Sequence, residues 1–157
     1  MGSYKKIDKK KLIEYCNDIK NSVDVASTIK NDGSNGKGVG TNQFRELATV
    51  CKSCETFEEI ELLIKYKIAK DTKTKDKKTG IWDYSSWRYT GKRNLSIGSA
   101  VLDKIKNIRN DYKDDKTMLE ALSLFFGYLY QSARVWKSEE QPHIQKTNGS
   151  IGKGGKR

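Results

Sequence analysis

The stretch from Thr117 to Trp136 constrains this chain more than any other. Leu119, Leu122, Phe125, Phe126, Leu129, Ala133 and Trp136 follow one another so closely that a helix carrying them is apolar nearly all round. A helix of that kind does not lie on a surface with one face in water. It belongs at the centre of a bundle or against a partner. Thr117-Met118-Leu119-Glu120 reads as its capping box, with Thr at the cap and Glu three residues later.

Shorter amphipathic segments supply the neighbours such a helix needs. Near 8–27, Leu12, Cys16, Ile19 and Val23 recur at helical spacing. Thr41 reads as an N-cap ahead of Phe44, Leu47, Ala48 and Cys51. Thr56-Phe57-Glu58-Glu59 is a second capping box, and it opens a helix with Ile60, Leu63, Ile64 and Ile68. Val101, Ile105, Ile108 and Tyr112 mark another over 97–112. One proline and little β-branched alternation leave few signals for strands. The sequence predicts an all-α fold, a compact four- to five-helix bundle with flexible basic loops and termini. Its parts are an N-terminal helix with a Gly-rich linker (1–40), a helical core (41–137) with a basic aromatic insertion (71–93), and a disordered basic tail (138–157). The linker over 31–40 is Gly-rich, yet it aligns with no phosphate-binding loop and no apolar strand leads into it.

The formal net charge is +11, from 31 Lys+Arg against 20 Asp+Glu. Residues 41–70 balance at five of each sign, whereas 71–93 holds seven basic and three acidic residues. In that insertion Trp82, Tyr84, Trp87 and Tyr89 alternate with Arg88, Lys92 and Arg93. Aromatic faces stack on unpaired bases, and cations attract phosphate whatever the sequence. A polyanion binder follows, with Trp82, Trp87 and Tyr89 as stacking candidates. A helix-turn-helix over 42–70 fits DNA poorly, because its second helix begins Phe-Glu-Glu-Ile-Glu and would carry carboxylates toward phosphate.

Catalytic equipment is sparse. The single histidine, His143, sits in the Gly/Lys-rich tail. A metal-dependent nuclease would need convergent carboxylates, from Asp111, Asp114 and Asp115 or from Glu58, Glu59 and Glu61, but both groups have ordinary roles at helix ends. Cys16, Cys51 and Cys54 are an odd count without secretory context, so they read as core thiols and not as disulfides or, with His143, a zinc site. Neither cofactor nor metal is expected. The first residues lack the apolar core of a signal peptide, and no apolar run reaches membrane-spanning length. The expectation is a cytoplasmic, non-enzymatic protein.

Thr41-Asn42-Gln43-Phe44-Arg45-Glu46-Leu47 resembles the segment that opens the core of the small helical subunit of type III (Csm-type) CRISPR effector complexes. The matched positions are Thr41, Gln43, Arg45 and Leu47, while Phe44 replaces an aliphatic residue. Glu59 to Lys70, with Tyr66, is similar to the family's Leu-rich helix and its basic end. Glu120-Ala121 through Tyr130 is similar to its aromatic-rich last helix. Departures are Lys70 in place of arginine, the 71–93 insertion and Glu-Ala at the helix start. The resemblance implies a non-catalytic bundle, copies of which stack inside a ribonucleoprotein filament. There it would contact the backbones of guide RNA and target RNA in antiviral defence, beside other subunits that cut. Arg45 is the RNA contact by matched position; Lys52, Lys65, Lys67, Arg88, Lys92, Arg93, Arg109 and Arg134 are candidates by charge alone. The alternatives are a helical protein-interaction adaptor with basic loops and a small metal-dependent nuclease.

Overall fold

The last helix is the axis of the molecule, as its apolar girth requires. In the computed structural model, which describes residues 6–140, helix α6 runs Asp115–Glu140. At 1.5 Å per residue its 26 residues span about 39 Å. Against it pack α3 (Asn42–Cys51) most extensively and then α1 (Lys9–Ser22). A second pair, α4 (Phe57–Ala69) and α5 (Ile97–Asp111), closes the other side. Phe125 and Phe126 are both fully buried. Neighbouring positions on a helix point about 100° apart, so partners must surround α6 there on more than one side. The first forty residues join the same core, since Leu12, Cys16, Ile19, Ile29 and Val39 belong to one buried cluster with α3 to α6.

The fold is mostly helical without being purely so. Ile29–Lys30 (β1) pairs in parallel with Val39–Gly40 (β2), and Lys73–Lys75 (β3) pairs antiparallel with Trp82–Tyr84 (β4). The first pair closes the Gly-rich connector into a loop whose far end is held by the core through Val39. The expected free linker is thus pinned, and the Gly38 N–H also donates to the Ser85 carbonyl at 2.9 Å. The second pair makes the basic insertion a hairpin. Asp76 turns it by accepting the Lys78 and Thr79 N–H groups at 2.7 and 3.0 Å, and Gly80 takes the left-handed φ of 72° that the turn needs.

Helix ends also depart from the sequence reading in instructive ways. The segment near 8–27 breaks in two, α1 and the one-turn α2 (Val25–Thr28), because Val23 is extended and Asp24 turns to accept the Lys92 N–H at 2.9 Å. That bond holds the Asp24 carboxyl below its usual pKa. Thr41 does not cap α3. Its backbone is already helical and its hydroxyl donates to Asp32, whose other oxygen accepts the Asn42 N–H at 2.9 Å. The cap is borrowed from nine residues upstream. Thr117 likewise yields to Asp114, which accepts the Thr117 N–H and hydroxyl at 2.9 and 2.8 Å, so α6 starts three residues earlier. The Thr56 capping box forms as predicted, with Glu59 accepting the Thr56 N–H at 2.9 Å. At its far end α6 carries Ser138 to Glu140, where the sequence predicts the start of a disordered tail; the remainder of that tail lies outside the described residues.

Candidate nucleic-acid interface

A carboxylate positions the basic aromatic insertion. Asp71, 7% exposed just after α4, accepts the N–H groups of Ser86 and Arg88 at 2.9 Å each and that of Ser85 at 3.3 Å. The Ser85 hydroxyl adds a fourth donor. Beyond this clamp Trp87 turns inward, 3% exposed and edge-on to Phe44 with centroids 6.1 Å apart. Its carbonyl accepts the N–H of Gly98, where a Cβ would sit 2.6 Å from Ile68 and 2.8 Å from that carbonyl, so only glycine lets α5 approach this closely. Trp87 is therefore a core residue and unavailable to a base. Trp82, 61% exposed on β4, remains accessible. Tyr89 is half-buried beneath the Lys37 ammonium, 5.0 Å from the ring centroid.

The nine predicted cations do not form one surface cluster; they divide by what holds them. Arg45 and Arg134, both exposed, lie 5.4 and 5.9 Å from the centroid of the Tyr130 ring. Among the described residues neither guanidinium makes an ion pair. Arg88 stacks 4.0 Å from Tyr84 on the hairpin, beside Lys73 at 5.4 Å. Lys67 is turned inward, donating to Gln43 at 2.9 Å and lying 5.9 Å from Trp87. Burial, with help from Lys70, lowers its pKa. The remaining five have local duties or settings. Lys65 pairs with Glu61 at 3.7 Å, and Arg109 pairs with Asp115 at 2.9 Å. Arg93 donates to the Asn21 carbonyl, and Lys92 is exposed with its backbone on Asp24. Lys52 caps α3 on the rim of a groove of about 740 Å³ floored by Cys51, Cys54, Leu119 and Leu124.

Carboxylates and thiols are similarly occupied. Asp111 accepts the Tyr15 hydroxyl at 2.6 Å and Lys11 at 3.3 Å, Asp114 caps α6, and Glu59 closes a capping box. Burial pushes the Cys16 and Cys51 thiols up to about 12, which keeps them protonated at neutral pH. Cys54 is raised too, by burial and then by Glu59. Among the described residues no three His, Cys, Asp or Glu side chains gather as a metal site, and His143 lies outside those residues. No described helix is long and apolar enough to cross a membrane.

Three cations escaped the sequence reading. Lys30, Lys37 and Lys137 line one polar cavity between the connector and the end of α6. Lys30 immediately precedes the Gly-rich stretch and Lys37 lies within it, a signal present in the sequence; the third is brought in by the fold alone. Comparison with protein-family models, curated proteins and solved structures finds no match to this chain.

Proposed function

We propose that this protein is a non-catalytic RNA-binding subunit of a larger ribonucleoprotein, of the kind formed by type III CRISPR effector complexes in antiviral defence. The observation that carries this reading is the pair Arg45 and Arg134, 5.4 and 5.9 Å from the Tyr130 ring centroid. Two forked cations without carboxylate partners among the described residues, on helices and beside an aromatic ring, suit the backbone of an RNA strand. The hairpin, with Arg88, Lys73 and exposed Trp82, adds a second basic aromatic surface for the same strand. Guide and target RNA, the other subunits and copies of this chain are the partners in this reading.

Arg45→Glu should lower affinity for single-stranded RNA by about tenfold or more and flatten the log–log salt dependence by roughly 1, with helical circular dichroism unchanged. Fluorescence anisotropy over a salt series measures both. Unaltered affinity in a folded variant removes Arg45 from the interface. Purification of the tagged protein from its native host separates the guide-complex role from generic RNA binding: short RNAs sharing one 5′ segment support it, and RNA of random length rejects it. A protein-interaction adaptor is the second reading, favoured by the groove beside Cys54 and by exposed Leu62 and Tyr66 on α4. Recovery of partner proteins without RNA would favour it.

A further inference from the structure

The cavity between the Gly-rich connector and the end of α6 has a volume of about 500 Å³, within the range of sites for small organic ligands and far larger than a bare anion needs. Its wall carries three lysines, two from the connector region and one from the end of α6. Lys30 donates to the Gly36 carbonyl at 3.3 Å, and Lys37 stands over Tyr89. Lys137 is only 8% exposed, a rare position for an ammonium, and reaches the Ala26 carbonyl at 3.3 Å and Glu140 at 2.9 Å. Among the described residues the carboxylate on this wall is Asp76, whose Oδ1 is already taken by the Lys78 and Thr79 N–H groups. With Glu140 counted against Lys137, the cavity keeps a positive surplus. Asn31 and Asn35 add amide donors and acceptors, and Tyr89 adds a ring.

We infer that this cavity is a nucleotide site: the lysines take a 5′-phosphate, Tyr89 stacks on the base, and the two asparagines meet its polar edge. Cations alone would suit any anion. The ring beside them and the spare volume call for a phosphate joined to a flat heterocycle. That chemistry is offered by a free mononucleotide or by the 5′ end of a strand, and the inference rests on the RNA-binding reading only in the second case.

Calorimetric titration of the full chain with AMP, adenosine and inorganic phosphate tests it, alongside one single-stranded RNA bearing a 5′-phosphate or a 5′-hydroxyl. AMP should bind at least about tenfold tighter than adenosine, and Lys37→Gln should erase that advantage. Tyr89→Leu should weaken AMP while leaving inorganic phosphate unchanged. Both residues lie outside the buried core cluster, so neither variant should unfold the protein. A several-fold preference for the phosphorylated RNA assigns the site to a strand end; equal RNA affinities with AMP bound assign it to a free nucleotide. If AMP binds no better than adenosine and the two RNAs bind equally, the inference is overturned. RNA binding lost in Arg45→Glu but intact in Lys37→Gln would then leave the RNA-binding role standing without this pocket.

Discussion

Replacing Asp71 by Asn should cost about 2–4 kcal/mol of stability. Both carboxylate oxygens are in use, one for the Ser85 N–H and hydroxyl and the other for the N–H groups of Ser86 and Arg88. An amide offers one accepting oxygen. Its NH2 would face two backbone donors in a site that is 7% exposed, where water is poorly placed to replace the lost acceptor. Denaturant unfolding measures the loss as a lower midpoint with an unchanged slope. A variant within about 0.5 kcal/mol of the parent would show that the clamp is dispensable. The same substitution should weaken RNA binding through the hairpin, because Arg88 and the strand carrying Trp82 are anchored just beyond the clamp.

Phe125→Ala should be more damaging, at about 3–5 kcal/mol. The ring is fully buried in α6 and meets Phe126 at 5.1 Å with planes 61° apart, so deletion removes apolar area and an edge contact together. For a chain of this size the melting temperature should fall by about 10 °C or more. Calorimetry checks it, and a fall of only two or three degrees would mean that neighbouring helices collapse into the space. Leu62→Ala, on an exposed position of α4, is the control that should change little.

The helices were legible because each buries a stripe that repeats at helical spacing. Leu12, Cys16 and Ile19, or Val101, Ile105 and Ile108, are core positions that any reading of period would select. What escaped depends on distant partners. Asp32 caps α3 across the connector, and Asp24 reaches Lys92, so neither cap follows from adjacent residues. The two strand pairs are only two and three residues long, below the length at which alternation carries a signal. Trp87 reads as a base-stacking candidate because basic residues surround it in sequence; Phe44 supplies the apolar neighbour that composition cannot reveal. The candidate site was half legible for the same reason. Arg45 is singled out only by the resemblance at 41–47, and its approach to Tyr130 alongside Arg134 exists only once α3 lies on α6.

The bond from Gly38 to Ser85 ties the Gly-rich connector to the basic insertion just past its hairpin, and the bond from Lys92 to Asp24 ties the end of that insertion to the turn between α1 and α2. Two segments that look like separate appendages thus share one latch, and they should open as a single cooperative unit beneath the global unfolding threshold. Native-state hydrogen exchange would register this as a common protection factor for the amides of Gly38, Ser86, Arg88 and Lys92. Widely different values would mean that each segment breathes alone. A shared opening would let an event at the connector set the posture of the hairpin roughly fifty residues away in sequence, a mechanical linkage obtained without a second domain.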